Sequence, residues 1–69
     1  MVRYRSRRDV AEEFKKLRIE LNRWFKKFRN TYNSMNIEDK LALSSIYYDV
    51  KEGYKELMEG LNELIKILE

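Results

Sequence analysis

Apolar side chains recur along this chain with the period of a helix. From Val10 they fall at Phe14, Leu17, Leu21, Trp24, Phe28 and Met35, in steps of 4, 3, 4, 3, 4 and 7, with Thr31 at the one skipped position. Alternating steps of four and three keep a stripe on one face of an α-helix. Phe25 and Tyr32 widen that stripe. A second stripe runs through Leu43, Tyr47, Val50, Tyr54, Leu57, Leu61, Leu64 and Leu68 in unbroken alternation. Met58 and Ile65 flank it on one side, and Ile46, Gly53, Gly60 and Ile67 on the other.

The punctuation fits two helices. Asp9 reads as an N-cap, with Glu12 three residues on completing a capping-box-like pair; Ser6 followed by Asp9 is a rival start one turn earlier. Asn33-Ser34-Met35-Asn36 interrupts the periodicity. Asn36 then caps the second helix, and Glu38 and Asp39 sit near the positive end of its dipole. These signals predict a first helix over residues 9–33 and a second over 37–68, about 37 and 48 Å long at 1.5 Å per residue. Residues 1–8 (MVRYRSRR) form a basic, flexible arm ahead of a single domain, 9–69. A short connection makes the two helices antiparallel neighbours. The predicted fold is all-α, an antiparallel two-helix hairpin.

The second helix carries more apolar surface than one partner covers. A helix facing a single neighbour needs about two or three apolar positions per heptad, and this one offers nearly four. The surplus predicts that two hairpins form a homodimer, a four-helix bundle joined through Ile46, Val50, Gly53, Leu57, Gly60, Leu64 and Ile67. Each glycine costs roughly 1 kcal/mol against Ala in a helix interior. A break at Gly53, giving three helices, is one reading. The stripe keeps its phase through both glycines, which favours one helix with a neighbouring backbone close by.

Composition narrows the alternatives. With 69 residues, one core supplies only about 3–5 kcal/mol. Cys and His are both absent, so disulfides and the usual zinc ligand sets are excluded. The absence of Pro and the presence of only two Gly exclude many-stranded sheets. An apolar fraction of 43% is too rich for disorder. No apolar run is long enough to span a membrane, and no apolar stretch follows the basic start as in a secretory signal. An intracellular, cytoplasmic setting is expected. Gln is absent while Lys, Arg, Glu, Ile and Tyr abound, which leans toward a thermophilic source; five Asn weigh against it.

Charge then adds a functional lead. Residues 1–35 hold eleven basic and four acidic side chains, a net of +7, and residues 36–69 hold four and eight, a net of −4. The first helix, on the face away from its stripe, carries Lys15, Lys16, Asn22, Arg23, Lys26 and Arg29, and the arm adds Arg3, Arg5, Arg7 and Arg8. The second carries Asp49, Glu52, Glu56, Glu59 and Glu63 on its outer face. Cations along a rigid rod can track phosphates, and Asn amides can read base edges or sugars. The alternative is that basic and acidic helices neutralise each other within the hairpin or dimer. The run Arg23-Trp24-Phe25-Lys26-Lys27-Phe28-Arg29 suggests base stacking or a membrane surface, but Trp24 and Phe28 fall on the core stripe and are assigned to packing. Tyr48 lies off the second stripe and is the better candidate for a partner contact.

Catalysis finds no support: there is no His base or Cys nucleophile, the four serines have no activating partner, and no Gly-rich loop is present. No catalytic residue, metal site or cofactor is assigned, and the outward acidic stripe reads as a solvated face. In helix–turn–helix organisation alone, the chain resembles the small helical-hairpin dimers of the Rop type, in which one pair of helices forms an RNA-binding face. That resemblance carries over no residue. The leading expectation is a non-enzymatic DNA- or RNA-binding regulator, of the kind a plasmid, virus or compact genome encodes. The alternative is a protein–protein adaptor or inhibitor acting through the second helix. A peripheral membrane peptide is a third reading, opposed by a charged fraction of 39%.

Overall fold

A computed structural model describes residues 6–69, so Arg3 and Arg5 of the predicted arm lie outside the described residues. The described chain is all helical apart from its caps and turns: α1 spans Arg7–Asn33, α2 Ile37–Ala42 and α3 Ser44–Leu68. The start of α1 is the earlier of the two candidates. Ser6, in extended conformation, accepts a hydrogen bond from the Asp9 backbone N–H at 3.1 Å, so Asp9 lies in the first turn and Arg7 and Arg8 are helical. Asn36 caps α2 by accepting from the Asp39 N–H at 2.9 Å.

The predicted second helix is divided, at Leu43 rather than at Gly53. Leu43 has φ −105° and ψ 9°, outside the helical wells of its neighbours. Two side chains take up the carbonyls that a continuous helix would use there. The Tyr32 hydroxyl donates to the Lys40 carbonyl, and Ser44 Oγ donates to the Leu41 carbonyl at 3.0 Å. The Tyr47 N–H then bonds to the Leu43 carbonyl at 3.0 Å and opens α3. Sequence periodicity is blind to such a step, because the apolar stripe begins only at Leu43 and α2 contributes none of it. α3 runs unbroken through Gly53 and Gly60, and a Cβ built at either would meet nothing within 4 Å. No neighbouring backbone within the chain explains the two glycines.

α1 and α3 pack antiparallel. Arg7 Nη2 donates to the Ile67 carbonyl at 2.7 Å, Arg18 Nη1 to Asn62 Oδ1 at 2.7 Å, and the Tyr54 hydroxyl to Asn22 Oδ1 at 3.0 Å, so partner numbers fall as α1 is followed upward. The Arg7 bond satisfies one of the carbonyls left open at the end of α3. Aromatic stacking fills the other end of the seam. Phe25 lies 4.1 Å from Tyr54, Phe28 5.9 Å from Tyr47, and Tyr32 4.3 Å from Tyr47, centroid to centroid.

Among the described residues the buried side chains are few: Ala11, Phe25 and Ile65. The seam on α1 follows Ala11, Phe14, Arg18, Leu21, Phe25, Phe28 and Tyr32, a line turned to one side of the predicted stripe. Leu17 and Trp24, assigned to the core by periodicity, remain 48% and 51% exposed. The stripe is wider than one helix can cover, and the buried Ala11 marks the side toward which the seam is turned. The described fold is elongated, with a radius of gyration of 16.2 Å, where a compact chain of this length would have about 11 Å.

Candidate nucleic-acid interface

A pair of packed helices has a shared seam, an outer surface on each helix, and two flanks where both helices are visible. Those surfaces differ sharply in chemistry here. On one flank Leu17, Leu21 and Trp24 of α1 meet Leu57 and Leu61 of α3 across a shallow cleft, and Phe28, Thr31 and Met35 meet Leu43 and Ile46 further along. Ile46 and Leu57 are each 58% exposed. Leu64 and Ile67 continue this apolar surface toward the end of α3, as does Val50 within it, with Gly53 and Gly60 between them. All seven residues expected at a dimer interface therefore share one flank or its edge.

The opposite flank is polar and basic, and α3 contributes to it. The Arg18–Asn62 bond and the ion pair between Lys15 and Glu69 both cross the seam on this side. Steps of three, four or seven residues keep positions on one side of a helix. From α1 this flank receives Lys15, Asn22, Lys26 and Arg29; from α3 it receives Lys51, Lys55, Asn62 and Lys66, together with Tyr48, while Glu59 and Glu63 border Asn62 and Lys66 at its outer edge. Tyr48 is 60% exposed, and the Lys51 ammonium lies 6.0 Å from its ring centroid. Sequence reasoning had grouped the cations of α1 alone. The 4-7-4 spacing of Lys51, Lys55, Asn62 and Lys66 was the available signal, hidden by the net acidity of that half of the chain.

Not every predicted binding residue is available to a ligand. Arg7 caps α3, and Asn22 Oδ1 is engaged by Tyr54. Lys15 is half-buried between Glu69 and Glu12, the latter at 3.6 Å. Its pKa is raised, chiefly by the hydrogen bond to Glu69 and then by the negative charges of Glu69 and Glu12, against an opposing desolvation. Lys16 stands exposed with Glu13 at 3.9 Å, a weak surface pair. Arg8, Arg23, Lys26, Lys27 and Arg29 are exposed, and among the described residues their side chains have no ion-pair or hydrogen-bond partner. The outer acids Asp49, Glu52, Glu56, Glu59 and Glu63 likewise have none.

Internal neutralisation therefore accounts for little of the charge segregation. Among the described residues, Lys15–Glu69 is the one ion pair that joins the two halves of the chain. The outer surface of α1 (Lys16, Arg23, Lys27) is basic and continuous with the basic flank, whereas that of α3 is acidic. No group of three or more acidic side chains is placed to hold a metal ion, and no helix is long and apolar enough to cross a membrane, among the described residues. No family model, curated protein or solved structure matches the chain.

Proposed function

We propose that this chain is a small non-enzymatic nucleic-acid-binding regulator that acts as a homodimer. The observation that carries the reading is the cluster Arg23, Lys26, Lys27 and Arg29: four exposed cations within two turns of α1, unpaired among the described residues. Holding like charges together without partners is unfavourable in an isolated molecule, and a polyanion relieves it while releasing its own counterions. Arg8 and Lys16 extend the surface. In the dimer, Leu17 and Trp24 of α1 with Ile46, Leu57 and Leu64 of α3 meet the same flank of a second copy, completing a four-helix bundle of two hairpins.

Area supports a second copy as the occupant of the apolar flank. The chain exposes 6112 Å², where about 4,700 Å² is usual for a compact folded protein of its mass. The exposed apolar side chains on the flank present on the order of 700 Å², close to the roughly 800 Å² per partner of a standard interface. Fluorescence anisotropy of labelled duplex DNA, duplex RNA and single strands at several salt concentrations tests the function. We expect submicromolar binding that weakens with log salt at a slope of about −3.5 or steeper, equivalent to four phosphates. Absence of binding to every probe at low salt would reject it. Then the open apolar flank favours the second reading, an adaptor that grips another protein, and light scattering separates the two: a stable dimer covers that flank, a monomer leaves it open.

A further inference from the structure

The two flanks face in opposite directions, and that fixes what a dimer can hold. Any two-fold pairing that covers apolar flank with apolar flank turns the basic flanks outward, on opposite faces of the bundle. We propose that the dimer binds two separate double-stranded segments, one on each outer face, and so bridges them. This rests on the nucleic-acid and dimer readings above and adds three things to them: the shared flank as the contact surface, a duplex as the ligand, and two ligands per dimer.

The contact surface follows from the cations of α3. Lys26 and Arg29 lie along one edge of the flank, with Lys51 and Lys55 along the other. Packed helices stand about 8–10 Å apart, so the flank offers two parallel rows of positive charge. Such rows suit a ligand whose phosphates also come in two strands held at a fixed separation. A single strand is bound instead through aromatic platforms on which bases stack. Among the described residues, most of the aromatics are committed elsewhere. Phe25, Phe28, Tyr32, Tyr47 and Tyr54 stack on one another in the seam, and Trp24 belongs to the apolar flank, stacked on Phe28 at 5.4 Å. Among the aromatics of the described residues, Tyr48 alone stands on the basic flank.

Two ligands follow from stiffness and charge. The two basic faces are separated by two layers of helix, about 20 Å, whereas a duplex resists bending over a persistence length of about 50 nm. One short duplex cannot lie on both faces. Wrapping around the edge formed by α3 is opposed by Asp49, Glu52, Glu56 and Glu63, which line its outer surface.

The test is capture of one duplex by another. A duplex of about 20 base pairs is fixed to beads and a second, fluorescent duplex is added with the protein, while anisotropy and light scattering record simple binding and dimer formation. We expect retention of the fluorescent duplex, saturation at two duplexes per dimer, and affinity for a single strand of equal length at least about tenfold lower. K51E/K55E should abolish capture and weaken simple duplex binding by about tenfold or more, with helicity unchanged by circular dichroism. Leu57→Asp should abolish capture while leaving a monomer that still binds one duplex. Binding and dimerisation without capture, or saturation at one duplex per dimer, would overturn bridging and leave the functional reading intact. Unchanged binding by K51E/K55E would overturn the shared flank. Absence of duplex binding would overturn the inference together with the reading on which it rests.

Discussion

The apolar and basic flanks are made by the same two helices and differ by roughly half a turn of each. On one, Leu17 and Trp24 face Leu57 and Leu61; on the other stand Lys26 and Arg29 of α1 with Lys51 and Lys55 of α3. Between them lies a seam that, among the described residues, buries only Ala11, Phe25 and Ile65. The contrast shows how an 8.5 kDa chain can present two unlike surfaces without a second domain. It also shows that an apolar stripe is not by itself a core. Residues of one continuous stripe divide between a surface that holds the chain together and a surface left for something else.

Neighbouring residues make the sharpest test of that division. Phe25 is 8% exposed and stacks on Tyr54, while Trp24 is 51% exposed. Phe25→Ala should cost about 3–5 kcal/mol, comparable with all that a core of this size supplies. Loss of most helical circular dichroism at 25 °C is expected. Trp24→Ala should leave helicity at a fixed protein concentration largely intact and weaken dimerisation by about thirtyfold, as for a truncated interface anchor. Equal loss of helicity in the two variants would mean that seam and flank are not separate.

Charge reversal comes next in size and addresses the basic side. R23E/K26E should weaken duplex binding by about two orders of magnitude near 0.1 M salt and flatten the salt slope by about two. Neither residue touches the seam, so the thermal unfolding midpoint should stay within a few degrees of the parent. The matching reversal on the outer surface of α3, E52K/E56K, should strengthen duplex binding, since it removes repulsion at the edge where a duplex would otherwise wrap. A null effect of R23E/K26E would move the binding surface off α1 altogether.

Much of this was legible in the sequence, and what was not has physical causes. Helical class, the turn at Asn33–Asn36 and the Asn36 cap follow from period and capping chemistry, which are local. The step at Leu43 depends on the Tyr32 hydroxyl reaching the Lys40 carbonyl, a tertiary contact that no local pattern encodes. The rotation of the seam toward Ala11 was equally hidden, because an alanine carries little weight in a hydrophobic pattern. Among the binding candidates, exposure of Arg23, Lys26 and Arg29 follows from position alone. The engagement of Arg7, Lys15 and Asn22 needs the antiparallel partner in place, since each is matched by a residue more than thirty positions away.

The glycines test the apolar flank at smaller energy and with opposite signs. With nothing within 4 Å of a Cβ at either position, the isolated chain gains only helix propensity from alanine. Gly53→Ala and Gly60→Ala should each stabilise the monomer by about 1 kcal/mol, read by denaturation at low concentration. At high concentration the same variants should dimerise less tightly if, as proposed, a second copy approaches where the added methyl groups would stand. Tighter dimerisation would show that the glycines permit no such approach.

The smallest effect expected concerns the ends of the flanks, where Lys15 ties α1 to Glu69. The pKa of Lys15 is raised from the usual 10.5, first by its hydrogen bond to Glu69. A cation whose folded-state pKa exceeds its unfolded value binds its proton more tightly when folded. Its contribution is therefore complete below about pH 10.5 and is lost as pH climbs through the raised value. Stability should fall in that alkaline range, and Glu69→Gln should reduce the fall by removing the charged acceptor. Other groups also lose protons at alkaline pH, so the quantity to measure is the difference between parent and E69Q in urea midpoint across about pH 9–12. A difference that shrinks with rising pH places the ion pair in the folded state; a difference independent of pH would show that Glu69 acts through packing against α1 rather than through charge.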